Sequence, residues 1–141
     1  MRSRLLPVLL VVAACGGTAT ATTTVPGGLS GSIRVSGGIA GIDETWGLAS
    51  DGMVNGPLGR SGSLTPDQVE ELADAVVDAG FFDLDPEYLP EDRCCDRFTY
   101  ELTITQGGRT HTVTTIDAAD APDGLFALIG SWLDAMRGSV G

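Results

Sequence analysis

The first patterned part of the chain is an alternation of apolar and polar residues. It runs over 32–36 until a Gly37-Gly38 pair ends it, and a second alternation follows over 42–48. The second one places Trp46 and Glu44 on the same side. A period of two is typical of a strand with one buried face. We therefore predict a hairpin, with Glu44 either at a bulge or on the solvated rim of the sheet.

A second hairpin is predicted further along the chain. Apolar and polar residues alternate over 98–105, and the alternation resumes over 110–117 after a Gly107-Gly108 pair. Glycine accepts the positive φ angles of a two-residue turn. Counting outward from the turn pairs Gln106 with Arg109, Ile104 with His111, Leu102 with Val113 and Tyr100 with Thr115. We interpret His111, the only histidine, as a rim residue of the apolar face rather than a metal ligand or a base.

Helical spacing follows each hairpin. Thr65, Pro66 and Gln68 form the signature of a helix start with a capping box, and Gly80 supplies a stop, so we predict a helix from Pro66 to about Ala79. A final helix is predicted to start near Asp120 or Ala121, with Pro122 in its first turn. Its apolar stripe consists of Leu125, Leu128, Ile129, Trp132 and Met136.

The order of elements predicts an α+β domain. Two strands, a helix, two strands and a helix are expected to form a four-stranded antiparallel sheet with two helices on one face. The glycine-rich segment 50–63 and the acidic segment 83–97 are predicted to be loops. The acidic loop lacks the glycine and terminal glutamate spacing of an EF-hand, which disfavours calcium.

The N-terminal residues resemble a targeting signal. Arg2 and Arg4 precede an apolar run over 5–12, well short of the ~20 residues that a transmembrane helix needs. The stretch 12–15, Val-Ala-Ala-Cys, resembles a bacterial lipobox. We predict a lipoprotein signal peptide over 1–14 and lipid attachment at Cys15, which would hold an extracytoplasmic protein at the cell membrane. The alternative is an ordinary secretory signal in which Cys15 is incidental.

Residues 15–30 are predicted to be the lipid-attachment cysteine and a flexible tether, because they contain few large apolar side chains. The remaining segment, 31–141, is long enough for one folded domain. The chain has 8 basic and 19 acidic residues, a formal net charge of −11. This excess disfavours nucleic acid as a partner, and it means that the lipid rather than the protein surface would provide membrane attachment.

Two further cysteines, Cys94 and Cys95, are adjacent. Outside the cytoplasm they could form a vicinal disulfide, stay as two free thiols, or bridge to another molecule. A metal site is disfavoured because no second pair of Cys or His residues lies nearby in the sequence.

No catalytic set is recognisable in the sequence. A hydrolase needs a nucleophile with a base, a carboxylate pair in a pocket, or a metal cluster. The chain offers one histidine, two adjacent cysteines and mostly solvated acids, and its glycines do not form a phosphate loop between a strand and a helix. We therefore predict that the protein is not an enzyme and uses no metal or other cofactor.

Several segments resemble the emfourin family of proteinaceous protease inhibitors. They are the run 33–42 with Trp46, the helix exit Ala79-Gly80-Phe81-Phe82-Asp83-Leu84, the second hairpin from Phe98-Thr99-Tyr100 to Gly107-Gly108-Arg109, and the leucine-rich final helix. Together they extend over about Ile33 to Met136. The resemblance implies inhibition of a thermolysin-like zinc metallopeptidase, with the inhibitor occupying the substrate cleft.

Peptidases of that class have an apolar pocket beside the zinc ion, so an inhibitor needs an apolar side chain on a preorganised loop. The candidates for this contact are Leu58 and Leu64, followed by Ile39 and Met53. Leu64 has a competing role as a hydrophobic staple with Val69 at the start of the first helix, and Ile39 a competing role in the core. The alternative function is that of a non-inhibitory cell-surface binding or structural lipoprotein.

Overall fold

The structure is a computed structural model that describes residues 28–92 and 96–141. The predicted signal peptide, Cys15, Cys94 and Cys95 lie outside the described residues, so the statements about them stay predictions. Within the described ranges, neither helix is long and apolar enough to cross a membrane.

Seven strands of the described residues form one mixed sheet. Along the chain they are β1 (Ser30–Gly37), β2 (Ile42–Leu48), β3 (Met53–Asn55), β4 (Ser61–Ser63), β5 (Glu87–Tyr88), β6 (Phe98–Gln106) and β7 (Arg109–Ile116). Their order across the sheet is β4-β3-β2-β1-β6-β7-β5, and all neighbours are antiparallel except β5 and β7. The α+β class is confirmed, but the prediction of a four-stranded, purely antiparallel sheet is wrong.

The three additional strands lie in the segments that were predicted to be loops. A strand of two or three residues has too few positions to show an alternation, so the sequence pattern does not mark it. Its formation depends on a partner strand: β3 pairs with the end of β2, β4 pairs with β3, and β5 pairs with β7. Val54 of β3 is fully buried and adds to the core.

The four long strands form the two predicted hairpins. The register of β6 and β7 pairs Ile104 with His111 and Tyr100 with Thr115, which confirms the count from the glycine turn. The pairing of β1 with β2 is continuous, without a bulge at Glu44. Glu44 is half-buried, with its carboxylate 3.8 Å from Arg137, so the prediction of a rim position is the correct alternative.

Two helices complete the described part of the chain: α1 (Pro66–Asp78) and α2 (Asp123–Ser139). The capping box of α1 is confirmed, because the Gln68 amide donates to Thr65 Oγ1 at 3.3 Å and the Thr65 amide donates to Gln68 Oε1 at 2.9 Å. Helix α2 begins later than predicted, with Pro122 as its N-cap residue. The chain first turns after β7, where Ala118 has a φ of 58° and the Ala119 amide donates to Ile116.

Both helices pack on the apolar face of the sheet. The core includes Ile33, Trp46 and Leu102 from the strands, Leu72 from α1 and Trp132 from α2. Leu29 and Ser30, which the sequence assigned to the tether, belong to the folded part, since Leu29 is fully buried and Ser30 begins β1.

The opposite face of the sheet is polar. Arg34 donates two hydrogen bonds to Asp43, at 2.8 and 2.7 Å, and the hydroxyls of Thr103 and Thr112 are 2.9 Å apart. The hydrogen bond from Arg34 holds the pKa of the Asp43 carboxyl below its usual value. An antiparallel sheet can keep such a polar face in contact with water.

Candidate functional site

The four candidate contact residues have very different exposures. Leu58 is 97% exposed and Ile39 is 88% exposed, whereas Met53 is 45% exposed and Leu64 is buried at 7%. Isolated exposed apolar residues are common, but a leucine that contacts almost nothing of its own protein is available for a partner. The described part of the chain therefore presents Leu58 and Ile39 most fully.

Leu58 lies at the tip of a tight loop between β3 and β4. Residues Pro57–Gly59 form one turn of 3-10 helix, in which Leu58 has φ 58° and ψ 27°. This left-handed conformation is costly for a residue with a Cβ atom, by about 1–2 kcal/mol. The sequence made Leu58 a candidate contact but could not predict that its backbone would be strained.

Two internal hydrogen bonds close the loop. The Gly56 amide donates to the Arg60 carbonyl at 2.7 Å, and the Arg60 amide donates to the Pro57 carbonyl at 3.2 Å. At the base of the loop, β3 and β4 pair as antiparallel strands, with Asn55 opposite Ser61. The loop thus has a defined shape before any partner binds, which lowers the entropy that binding would cost.

Trp46 supports the loop from below. Its ring is almost fully buried, and a Cβ atom at Gly56 would lie 2.5 Å from it, so only glycine lets the loop approach this closely. The Arg60 guanidinium lies 5.4 Å from the centre of the Trp46 ring, within the range of a cation–π contact. The sequence did not indicate that Trp46 packs against Gly56 or that Arg60 contacts its ring. Trp46 belongs to β2, whereas Gly56 and Arg60 belong to the loop after β3.

Ile39 lies in the turn between β1 and β2. The Gly38 amide donates to the Arg97 carbonyl at 3.1 Å, and a Cβ atom at Gly38 would be 2.6 Å from the Phe98 ring. The turn is thereby packed against the start of β6. The competing core role of Ile39 does not fit its high exposure.

The two exposed tips lie at the same end of the sheet. Strand β3 runs antiparallel to β2, with Asn55 opposite Gly47, so the chain that leaves β3 continues in the direction of the β1–β2 turn. We call the loop 56–60 and the turn 38–41 together the apolar end. It presents two well-supported apolar side chains, Leu58 and Ile39, in the same general direction.

Leu64 and Met53 lie away from the loop tip. Leu64 directly precedes the capping residue Thr65 and belongs to the core together with Val69, as expected for a staple. Met53 lies opposite Ser63, at the far end of β3 from Leu58. Both residues are much less exposed to solvent than Leu58.

A clamp of polar groups fixes β6 beside the apolar end. The Asp117 carboxylate accepts hydrogen bonds from the Phe98 amide and the Tyr100 hydroxyl, both at 2.9 Å. Burial, followed by the hydrogen bond to this carboxylate, raises the pKa of Tyr100 to about 12. A groove of about 250 Å³ separates this strand from the last turns of α2, where Glu44 approaches Arg137.

Residues 28–92 and 96–141 contain no group of three or more His, Cys, Asp or Glu that is placed to hold a metal ion. His111 has its Nε2 atom 3.0 Å from the Leu84 carbonyl oxygen and packs its ring edge-on against Phe81. It thus makes structural contacts at the end of the core.

The sequence profile of the Emfourin family matches residues 33–133, which extend from β1 into α2 and include the whole apolar end. No curated protein matches the chain.

Proposed function

Because the chain belongs to the Emfourin family, which is known for inhibitors of protealysin-type metalloproteases, we propose that it inhibits a thermolysin-like zinc metallopeptidase through Leu58. Family membership also identifies it as an inhibitor rather than an enzyme. In this proposal the loop 56–60 enters the substrate cleft, and the Leu58 side chain fills the apolar pocket beside the zinc ion.

A single observation carries the assignment of Leu58: a large apolar side chain is fully displayed on a strained backbone that a buried tryptophan supports. Free energy is stored in this conformation without any gain from core packing. Strain of this kind persists at binding and catalytic sites, where the surrounding structure holds it in place.

Ile39 supplies a second contact in this proposal. It projects from the same end of the sheet, so an enzyme that receives Leu58 in its cleft would meet Ile39 at the rim of the cleft. Interfaces typically concentrate their binding energy in a few anchors surrounded by weaker contacts. We assign Leu58 the role of anchor and Ile39 that of a peripheral contact.

We also propose that the inhibitor acts outside the cytoplasm, held at the membrane by lipid on Cys15. The lipobox-like stretch 12–15 supports this part of the proposal, and the target would then be an extracytoplasmic peptidase.

Titration of the unlipidated protein against a panel of thermolysin-like peptidases, including thermolysin, tests the proposal. We expect saturable competitive inhibition of at least one of them and none of an unrelated serine protease. Leu58→Ala should raise the inhibition constant by about 30-fold or more, the effect of removing a hot-spot side chain. The matched control is Val77→Ala, which removes another exposed apolar side chain, on α1 near Arg109 and far from the apolar end.

The outcomes separate the parts of the proposal. Inhibition by the wild-type protein that survives Leu58→Ala unchanged would overturn the assignment of the loop, and the same test on Ile39→Ala would then identify the anchor. No inhibition of any peptidase in the panel at micromolar protein would contradict the inhibitory function itself.

A further inference from the structure

An inhibitor that fills the specificity pocket of a peptidase brings its own peptide bonds close to the catalytic zinc ion. To cleave one, the enzyme polarises its carbonyl oxygen at the metal and adds water to the carbonyl carbon. The C–N bond then breaks, one fragment ends in a carboxylate, and the proton from water passes to the new amine. This chemistry requires an accessible carbonyl group and a chain extended enough to pair with the cleft.

The bond before Leu58 meets neither requirement, and the chain around the bond after Leu58 is not extended. The Pro57 carbonyl, which belongs to the bond before Leu58, already accepts the hydrogen bond from the Arg60 amide at 3.2 Å. Leu58 and Gly59 have φ angles of 58° and 74°, so the chain turns back at the point where a substrate would be extended.

Resting on the proposed function, we infer that the closed turn 57–60 protects the inhibitor from hydrolysis, with the Arg60 amide holding the Pro57 carbonyl away from the zinc ion. Arg60 is thus a positioning residue that acts through its backbone. In this inference the peptidase binds the Leu58 side chain, and the closed turn keeps the peptide bonds beside Leu58 from being cleaved.

The surrounding contacts keep the turn closed. The second hydrogen bond, from the Gly56 amide to the Arg60 carbonyl, ties the two ends of the loop together at 2.7 Å. The loop then continues into β3 and β4, and Gly56 packs on the Trp46 ring. Opening the turn in the cleft would disrupt these contacts.

The first test removes the Arg60 amide hydrogen that is donated to the Pro57 carbonyl. Arg60 has a φ of −63°, which a proline ring matches, so Arg60→Pro deletes the amide hydrogen without straining residue 60. The proline ring also disfavours the turned conformation of Gly59 before it. Arg60→Ala is the matched control, because it loses the same side chain and its contact with Trp46 but keeps the amide.

The second test changes the turn without touching residue 60. Apart from its two chain neighbours, no described residue lies within 4 Å of a Cβ atom built at Gly59, so a side chain there meets chiefly the conformational restriction of its φ of 74°. Gly59→Val disfavours this angle and should open the turn. Gly59→Asn is the matched control, because asparagine tolerates the left-handed region.

Each full-length variant is incubated with a small molar fraction of thermolysin, or of the panel member that the wild-type protein inhibits, and followed by intact-mass spectrometry and residual peptidase activity. We expect Arg60→Pro and Gly59→Val to be cut beside Leu58 about fivefold to tenfold faster than their controls, as a lost hydrogen bond of ordinary strength implies. Their inhibition should therefore be temporary. The wild-type protein, Arg60→Ala and Gly59→Asn should stay largely intact over the time in which the two opening variants are cut.

The readouts distinguish this inference from the proposed function. If the wild-type protein inhibits but both opening variants stay intact and inhibit permanently, the inference is overturned while the function stands. Cutting of the wild-type loop as fast as the variants would also overturn it. A variant that fails to fold would be cut at many bonds rather than beside Leu58 alone. In that case the other opening variant and its matched control test the inference. Absence of inhibition by the wild-type protein contradicts the function instead.

Discussion

At the scale of single residues, the proposed role of Leu58 and the stability of the fold make opposite demands on the residue at this position. Its φ of 58° suits asparagine better than leucine, and its exposed side chain contributes little to the core. We expect Leu58→Asn to raise the free energy of unfolding by about 0.5–1 kcal/mol while it abolishes inhibition. Urea denaturation of the free protein measures the first effect and peptidase titration the second. Leu58→Ala keeps a Cβ atom at the same angle and should not stabilise, and a loss of stability in Leu58→Asn would contradict this account.

Tyr100 gives a prediction about pH at the same scale. Because the pKa of its hydroxyl is about 12 in the folded protein, against an ordinary value near 10, the folded state keeps this proton after the unfolded state has released it. The contribution of the Tyr100 hydroxyl to stability is therefore complete below pH 10 and is lost as the pH rises from 10 to 12.

Tyr100→Phe removes both the proton and the hydrogen bond to Asp117. We expect it to be about 1 kcal/mol less stable than the wild-type protein at pH 7, the contribution of one hydrogen bond. Urea denaturation at pH 8, 10 and 11.5 should show the difference shrinking above pH 10. A difference that stays constant over this range would show that Tyr100 does not titrate differently in the two states.

At the scale of elements, the sequence predicted the features that a residue pattern marks and missed short strands that only their pairing reveals. The capping box at Thr65 and the register around Gly107-Gly108 are local, and both are confirmed. Strands β3 and β5 pair with the edges of β2 and β7, and β4 pairs with β3, so their segments of two or three residues carried no alternation to read. Leu58 could be proposed as a contact from its residue type and its loop, whereas its support by Trp46 and the hydrogen bond from the Arg60 amide to the Pro57 carbonyl required the structure.

Helix α2 offers a prediction about its own packing. A Cβ atom at Gly130, in the middle of this helix, would meet no described atom within 4 Å beyond its chain neighbours and the nearby backbone of α2, whereas one at Gly124 would lie 3.3 Å from Ala79 Cα. We expect Gly130→Ala to raise the free energy of unfolding by about 0.5–1 kcal/mol, because alanine loses less backbone entropy in a helix. Gly124→Ala should gain less or lose stability, because α2 passes close to the end of α1 there. Equal effects of the two substitutions in urea denaturation would contradict this packing.

At the scale of the whole molecule, the apolar end and the N-terminal side lie at opposite ends of the sheet. Strand β1 begins at Ser30, opposite Thr105 and close to the β6–β7 turn, and it runs toward the turn that carries Ile39. A lipid on Cys15 would therefore attach the domain from the end away from Leu58. Residues 15–28 reach at most about 45 Å when fully extended, which leaves the domain room above a bilayer.

Because the N-terminal side and the apolar end lie at opposite ends of the sheet, we expect that membrane attachment does not impair inhibition. We expect the lipidated protein in vesicles of neutral phosphatidylcholine to inhibit a soluble thermolysin-like peptidase with the same constant as the unlipidated Cys15→Ser protein, within about threefold. Neutral lipid removes the repulsion between anionic headgroups and this acidic chain. Sedimentation of the vesicles verifies attachment through Cys15. If the attached protein bound the peptidase much more weakly, the end of the domain that carries Leu58 would have to face the membrane, contrary to the direction in which β1 runs.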